Sequence, residues 1–132
     1  MKTIGEYYKE TVLSLPEKER NLRELPVNER NLRIDRNLFT WRIYYKRYGR
    51  KTPRFIECAT EEEARYLKVF MDAGVSKIYV PKNLEYLKSI LPELEDLKAE
   101  HDKIINDGVK YILNRKTREK IKHGVWMELT QV

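Results

Sequence analysis

The stretch that decides the fold is residues 36–54, RNLFTWRIYYKRYGRKTPR. It carries seven basic side chains, five aromatic rings and no acidic side chain. No other part of the sequence combines positive charge and rings as densely. From Phe39 onward, apolar and polar residues alternate, which is typical of a β-strand with one buried face.

The alternation gives the predicted strand two different faces. One face carries Phe39, Trp41, Ile43 and Tyr45. The other carries Thr40, Arg42, Tyr44 and Lys46. Burying rings and aliphatic groups costs less free energy than burying charges. We therefore expect the face with Phe39, Trp41, Ile43 and Tyr45 to lie in the core. Gly49 suits a turn, and Pro53 suits the start of a return strand over residues 54–59. The stretch therefore predicts a β-hairpin.

Residues 60–80 predict a helix followed by a third strand. Thr60 and Glu63 form a capping box, in which Glu63 is expected to accept from the Thr60 N–H. The buried stripe of this helix is expected to contain Ala64, Leu67, Val69, Phe70 and Met71. Gly74 fits the position just past the helix end, and residues 75–80 read as the strand.

The C-terminal part is predicted to be helical. After Asn83, a candidate N-cap, apolar residues recur at three- and four-residue steps as far as Leu113. Pro92 is expected to kink or split this region, whereas Gly108 fits inside it. Thr117 is a candidate cap for a last helix.

The N-terminal part predicts a short amphipathic helix and an arm. Ile4, Tyr8, Val12 and Leu15 share one helical face in front of Pro16. Residues 15–24 and 25–34 then form a tandem repeat with seven of ten positions identical. Each copy opens with Leu-Pro, so we expect two short helical turns that begin at the prolines. A duplicated, solvated linker is the alternative.

Together these patterns predict an α+β fold. It consists of an N-terminal helix and arm, a small antiparallel sheet (β-hairpin, helix, third strand) and a C-terminal helical hairpin. We expect residues 1–35 to form the helix and the Leu-Pro repeat arm, and residues 36–132 to form a single α+β domain. A chain of 132 residues suits one domain of this size.

Composition limits the function classes. The one cysteine excludes an internal disulfide and a cysteine-based zinc site within the chain, and it suits a reducing, intracellular compartment. We expect neither a secretory leader nor a membrane span, since charges interrupt every apolar run. Residues 1–60 carry 14 basic and 8 acidic groups, so the net charge of +6 lies in the first half.

A basic, aromatic hairpin favours nucleic-acid binding, DNA in the first instance. Arginine and lysine neutralise phosphates, and exposed rings stack on bases. The predicted binding set is Arg42, Tyr44, Lys46, Arg47, Tyr48, Arg50, Lys51 and Arg54. A secondary basic patch contains Arg115, Lys116, Arg118 and Lys122. In the competing interpretation, the hairpin is solvated and its arginines pair with acids elsewhere, such as those of residues 61–109, and the second cluster is a solvated helix face.

A second hypothesis is an assembly subunit, a homo-oligomer in which residues 1–34 pack on a neighbouring protomer. An enzyme is the least supported class, because no motif for a nucleophile, a metal or a phosphate-binding loop is present. We expect no catalytic residue, metal or cofactor. His101 lies on an apolar helical stripe and is expected in the core, and Cys58 is expected to be a buried thiol.

The run from hairpin to capped helix also resembles a known arrangement. Residues 39–72, with the basic hairpin and Thr60-Glu61-Glu62-Glu63-Ala64, resemble the three-stranded-sheet-plus-helix DNA-binding modules of tyrosine recombinase arm domains. The resemblance covers about a quarter of the chain. It implies a small sheet covered by one helix.

Overall fold

The computed structural model describes residues 3–26, 30–46 and 54–109. Helix α1 spans Ile4–Tyr8 and continues as a π-helical turn over Lys9–Leu13, and a 3-10 turn follows at Glu17–Glu19. Five strands come next in the chain, interrupted by one helix: β1 Arg20–Glu24, β2 Arg30–Asn37, β3 Thr40–Lys46, β4 Arg54–Cys58, α2 Glu61–Asp72 and β5 Lys77–Pro81. Helix α3 spans Leu84–Val109. The α+β fold class is thereby confirmed.

The strands form two antiparallel sheets. One has the order β2-β3-β4, and the other pairs β1 with β5. The predicted hairpin is confirmed as the β3–β4 pair, in which Ile43 lies opposite Ile56. The strand after α2 also exists, but it pairs with β1, so β2 is the strand that completes the hairpin's sheet.

The helical turn predicted at Pro16 is confirmed as the 3-10 turn Glu17–Glu19, whereas the turn predicted at Pro26 falls on residues 27–29, outside the described residues. The strands that follow in each copy were not predicted. The first copy makes one 3-10 turn after Pro16 and then becomes β1, and the second copy enters β2. Leu25 is buried, and Leu32 and Ile34 pack against the core of the same chain. Strand pairing overrides the local helical signal, because β1 and β2 find extended partners in β5 and β3. Packing on a neighbouring protomer and the division at residue 35, which β2 crosses, stay predictions.

Helix α2 covers the inner face of the three-stranded sheet and also contacts β5 and α3. Its predicted cap is confirmed at Thr60, whose Oγ1 accepts from the Glu63 N–H at 3.1 Å. Glu63 accepts from the Ala59 N–H, however, and not from Thr60. At the other end Gly74 has φ 78°, and bonds from Gly74 to Met71 and from Val75 to Phe70 close the helix.

Helix α3 runs through Pro92 without ending, and Gly108 lies inside it as expected. Asn83 caps it by accepting from the Tyr86 N–H at 3.1 Å. The predicted last helix lies outside the described residues. Within those residues, no helix has the length and apolar composition needed to cross a bilayer.

The turn between β2 and β3 departs from expectation. Asn37 pairs with Thr40, which leaves Leu38 and Phe39 as a two-residue loop. Phe39 was expected in the core. It is instead 95% exposed, because β3 begins one position later, at Thr40. Leu38 has φ 54°, a region that favours glycine in such turns.

Replacing Leu38 with glycine should stabilise the fold. A bulky residue at positive φ costs roughly 1–2 kcal/mol, and Leu38 is 79% exposed, so little apolar burial is lost. We expect Leu38→Gly to raise the free energy of unfolding by about 0.5–1 kcal/mol after the entropy cost of glycine is subtracted. Urea denaturation measures the change, and a lower midpoint would contradict it.

Candidate nucleic-acid interface

The solvent-facing side of the three-stranded sheet carries polar and aromatic side chains, six of which lie in its middle. We call this set the outer face: Arg33, Asp35, Arg42, Tyr44, Phe55 and Glu57. It lies opposite the inner face because side chains alternate along each strand. The inner face packs on α2 through residues such as Ile43 and Ile56.

The aromatic rings of the outer face lie beneath arginine side chains. The guanidinium carbon of Arg33 lies 5.2 Å from the ring centroid of Tyr44. That of Arg42 lies 3.8 Å from the ring of Phe55. The two rings touch each other at a tilt, with centroids 5.8 Å apart. The outer face thus holds two adjacent rings, each with one guanidinium over it, and Phe55 is 42% exposed.

Arg42 has a carboxylate partner within the sheet. Its Nη2 and Nε donate to Glu57 Oε1 at 2.9 and 3.2 Å. Hydrogen bonding to Tyr44, with a contribution from Glu57, raises the pKa of Arg42, so the guanidinium stays charged. Glu57 is half-exposed and offsets much of the charge that the sequence assigns to Arg42. Arg33 similarly has Asp35 at 3.9 Å.

Positive charge is less compensated at one end of the sheet. Lys46 is exposed, and it pairs along the backbone with Arg30, while Arg54 pairs with Tyr45. We call Lys46 and Arg54, which flank segment 47–53, the basic end. Between Arg30 and Cys58 the sequence has nine basic and two acidic residues. The net charge of this segment is therefore +7, which exceeds the net charge of +6 of the whole chain.

The structure brings together only some of the predicted site residues. Arg42, Tyr44 and Lys46 share the solvent-facing side, as alternation predicts. Arg54 lies opposite Tyr45, whose side chain is buried, so Arg54 belongs to the other face. The remaining predicted residues lie outside the described ranges: Arg47, Tyr48, Arg50, Lys51, Arg115, Lys116, Arg118 and Lys122.

Sequence reasoning missed Arg33 and Phe55. Arg33 was assigned to the repeat arm, although Leu32 and Ile34 on either side of it already show the period of two. Phe55 alternates with Ile56, and only the register against β3 decides which of the two faces solvent.

Other candidate chemical groups lie in the interior. His101 is buried, as expected, and burial lowers its pKa. Among the described residues, no three His, Cys, Asp or Glu side chains lie close enough to hold a metal ion.

A cavity of about 280 Å³ lies beside the start of α3 and includes none of the outer face; its lining is Leu15, Lys18, Glu19, Pro81, Lys82, Asn83 and Tyr86.

Comparisons with known proteins add no family to this geometry. No protein-family model, no curated protein and no solved structure matched this chain.

Cys58 should react slowly in the folded chain. Burial, with the nearby charge of Glu63, raises the pKa of its thiol to about 12. At pH 8 we therefore expect alkylation by iodoacetamide to be at least about 100-fold slower in the native chain than in urea. Mass spectrometry measures the rate, with glutathione as the free-thiol reference. Equal native and unfolded rates would show that Cys58 is accessible.

Proposed function

We propose that this chain is a non-enzymatic nucleic-acid-binding protein, with DNA as the expected partner. The observation that carries the proposal is the outer face, where Tyr44 and Phe55 lie on the solvent side of the sheet and each contacts a guanidinium. A flat ring stacks on any base, and a neighbouring arginine binds phosphate or extends the stack.

The position of charge supports the same partner. Lys46 lies beside the stack, and segment 47–53 joins it to Arg54 and carries Arg47, Arg50 and Lys51. A polyanion that crosses the outer face would therefore meet rings in the middle and cations at the basic end. Counterion release from the phosphates then supplies the affinity, and stacking orients the strand.

The carboxylates of the outer face tune this interaction. Glu57 holds Arg42 over Phe55, and Asp35 lies beside Arg33. A phosphate would compete with Glu57 for Arg42, which weakens binding but favours ligands that also stack on the ring. The expected behaviour is salt-sensitive binding with a stacking contribution, as in sheet platforms for single strands.

The first test removes the cations of segment 47–53. We expect Arg47→Ala/Arg50→Ala/Lys51→Ala to remove most binding and to reduce the slope of log affinity against log salt by about 2–3 units. Fluorescence anisotropy with single-stranded DNA, duplex DNA and RNA measures both quantities.

The matched control removes three lysines elsewhere, Lys9→Ala/Lys18→Ala/Lys88→Ala. These residues are exposed and lie outside the three-stranded sheet. Both triple variants have the same net charge, so a general charge effect would weaken them equally. Equal loss in both, or unchanged binding after the first substitution, would refute the proposal.

The second test releases Arg42 from its partner. Glu57→Gln removes one acidic charge beside the ring stack, so we expect the affinity for nucleic acid to rise about two- to tenfold at low salt. The stability cost should stay below about 1 kcal/mol, because the pair is partly exposed.

Glu100→Gln is the matched control, since it makes the same change on an exposed position of α3. A rise in affinity that is equal for both variants would show that net charge alone acts. No rise for Glu57→Gln would remove Arg42 from the interface.

A further inference from the structure

The tip of the β2–β3 hairpin presents two large apolar side chains to solvent. Leu38 is 79% exposed and Phe39 is 95% exposed. No other large hydrophobic residue is as exposed in the part of the chain that the structure describes. The pair is separate from the outer face, because it lies in the loop where β2 turns into β3.

The tip has a backbone cost and gains little stability from burial. Leu38 has φ 54°, where an L-residue with a bulky side chain is disfavoured. The exposed side chains also gain almost nothing from the hydrophobic effect when the chain folds. Residues held at such cost often mark a site of interaction.

Local hydrogen bonds hold the tip in one shape. Arg36 Nε donates to the carbonyl oxygen of Leu38 at 3.3 Å. Thr40 Oγ1 donates to the carbonyl oxygen of Asn37 at 3.1 Å. The Arg36 N–H is bonded in turn to Asp35 Oδ1 at 2.9 Å. An apolar pair on a support of this kind loses little conformational entropy when it binds.

The charge around the tip indicates which kind of molecule would bind there. Arg36 is exposed directly behind Leu38, in the segment with nine basic and two acidic residues. The basic end lies at the other end of β3, which has seven residues and is therefore about 20 Å long. A linear polyanion along the sheet spans both ends, and about 20 Å corresponds to roughly six nucleotides of one strand.

We propose that Leu38 and Phe39 form a wedge that inserts between adjacent bases of a nucleic acid lying along the three-stranded sheet. Arg36 then binds the phosphate beside the opened step. The proposal rests on the proposed nucleic-acid binding and adds where and how the bases are disturbed. Unstacking a step costs a few kcal/mol, which apolar contact with the wedge and added backbone contacts offset.

The test measures base unstacking separately from binding. The probe is a 20-base-pair DNA duplex, and its single strand, with 2-aminopurine at four spaced positions. The wild-type chain should raise 2-aminopurine fluorescence at saturation. Leu38→Gly/Phe39→Ser should lose that rise and bind about tenfold more weakly, with a salt slope reduced by no more than about 1, because only the phosphate contact of Arg36 at the opened step is lost with the wedge.

The double variant should remain folded, because glycine suits the backbone of residue 38 and both side chains are exposed. Circular dichroism and urea denaturation check this. Leu22→Ser is the matched control: Leu22 is 51% exposed, but it lies on β1 in the other sheet. This control should leave both fluorescence and affinity as in the wild type.

The outcomes separate the two proposals. Binding without a fluorescence rise, or a rise that survives in the double variant, overturns the wedge and leaves nucleic-acid binding in place. Absence of binding to DNA and RNA overturns both. Sedimentation with phosphatidylcholine–phosphatidylserine vesicles is run in parallel. Vesicle binding that the double variant loses, without a change in the nucleic-acid assays, would assign the tip to a lipid surface and overturn the wedge.

Discussion

One helix covers two small sheets, and the rest of the structure depends on that shared burial. A two-stranded sheet alone is marginally stable at best in water, and a small sheet gains stability when its apolar face packs against a helix. Ala64, Tyr66, Leu67 and Phe70 of α2 are almost completely buried. The hydroxyl of Tyr66 also donates to the Tyr79 carbonyl of β5 at 2.7 Å, so α2 holds one sheet by packing and the other also by a partly buried hydrogen bond.

The start of α2 is where the two sheets are joined by charge. Arg23 of β1 donates to Glu63 Oε1 and to the Glu57 carbonyl of β4, both at 3.0 Å. Glu63 in turn accepts from the Ala59 N–H, so a single carboxylate serves both the helix start and the contact with β1. Because both side chains are partly buried, the Arg23–Glu63 ion pair stabilises the fold more than an exposed pair would.

This arrangement explains why the outer face of the three-stranded sheet is available to a partner. Helix α2 covers the inner face, and Ile43 and Cys58 are buried in the core. Positive charge then separates from apolar surface along the sheet. Lys46 lies at one end, the arginine-covered rings of Tyr44 and Phe55 lie in the middle, and Phe39 lies at the other end. The nucleic acid that we propose as the partner would have to be extended in order to contact all three regions.

Much of the fold was predictable because its signals are local. The cap at Thr60, the end at Gly74, the buried stripe of α2 and the alternation along β3 each depend on neighbours within a few residues. The candidate site was predictable to the same extent: alternation placed Arg42, Tyr44 and Lys46 together, whereas Phe55 depended on the register against β3. Phe39 was misplaced because the pattern does not say at which residue the strand begins.

The repeat shows what only the tertiary structure decided. The same triplet, Asn-Leu-Arg, occurs in β1 and in β2. In β1 the leucine of the triplet, Leu22, is exposed, and Arg23 lies opposite buried Ile78. In β2 the leucine, Leu32, packs on the core instead, and Arg33 lies over the ring of Tyr44. A shift of one residue in register reverses the faces of a strand, and β2 has such an irregularity between Arg30 and Arg33. The sequence determined the helices and the hairpin, but the choice of partner strand set the faces of the repeat, because that choice depends on residues far away along the chain.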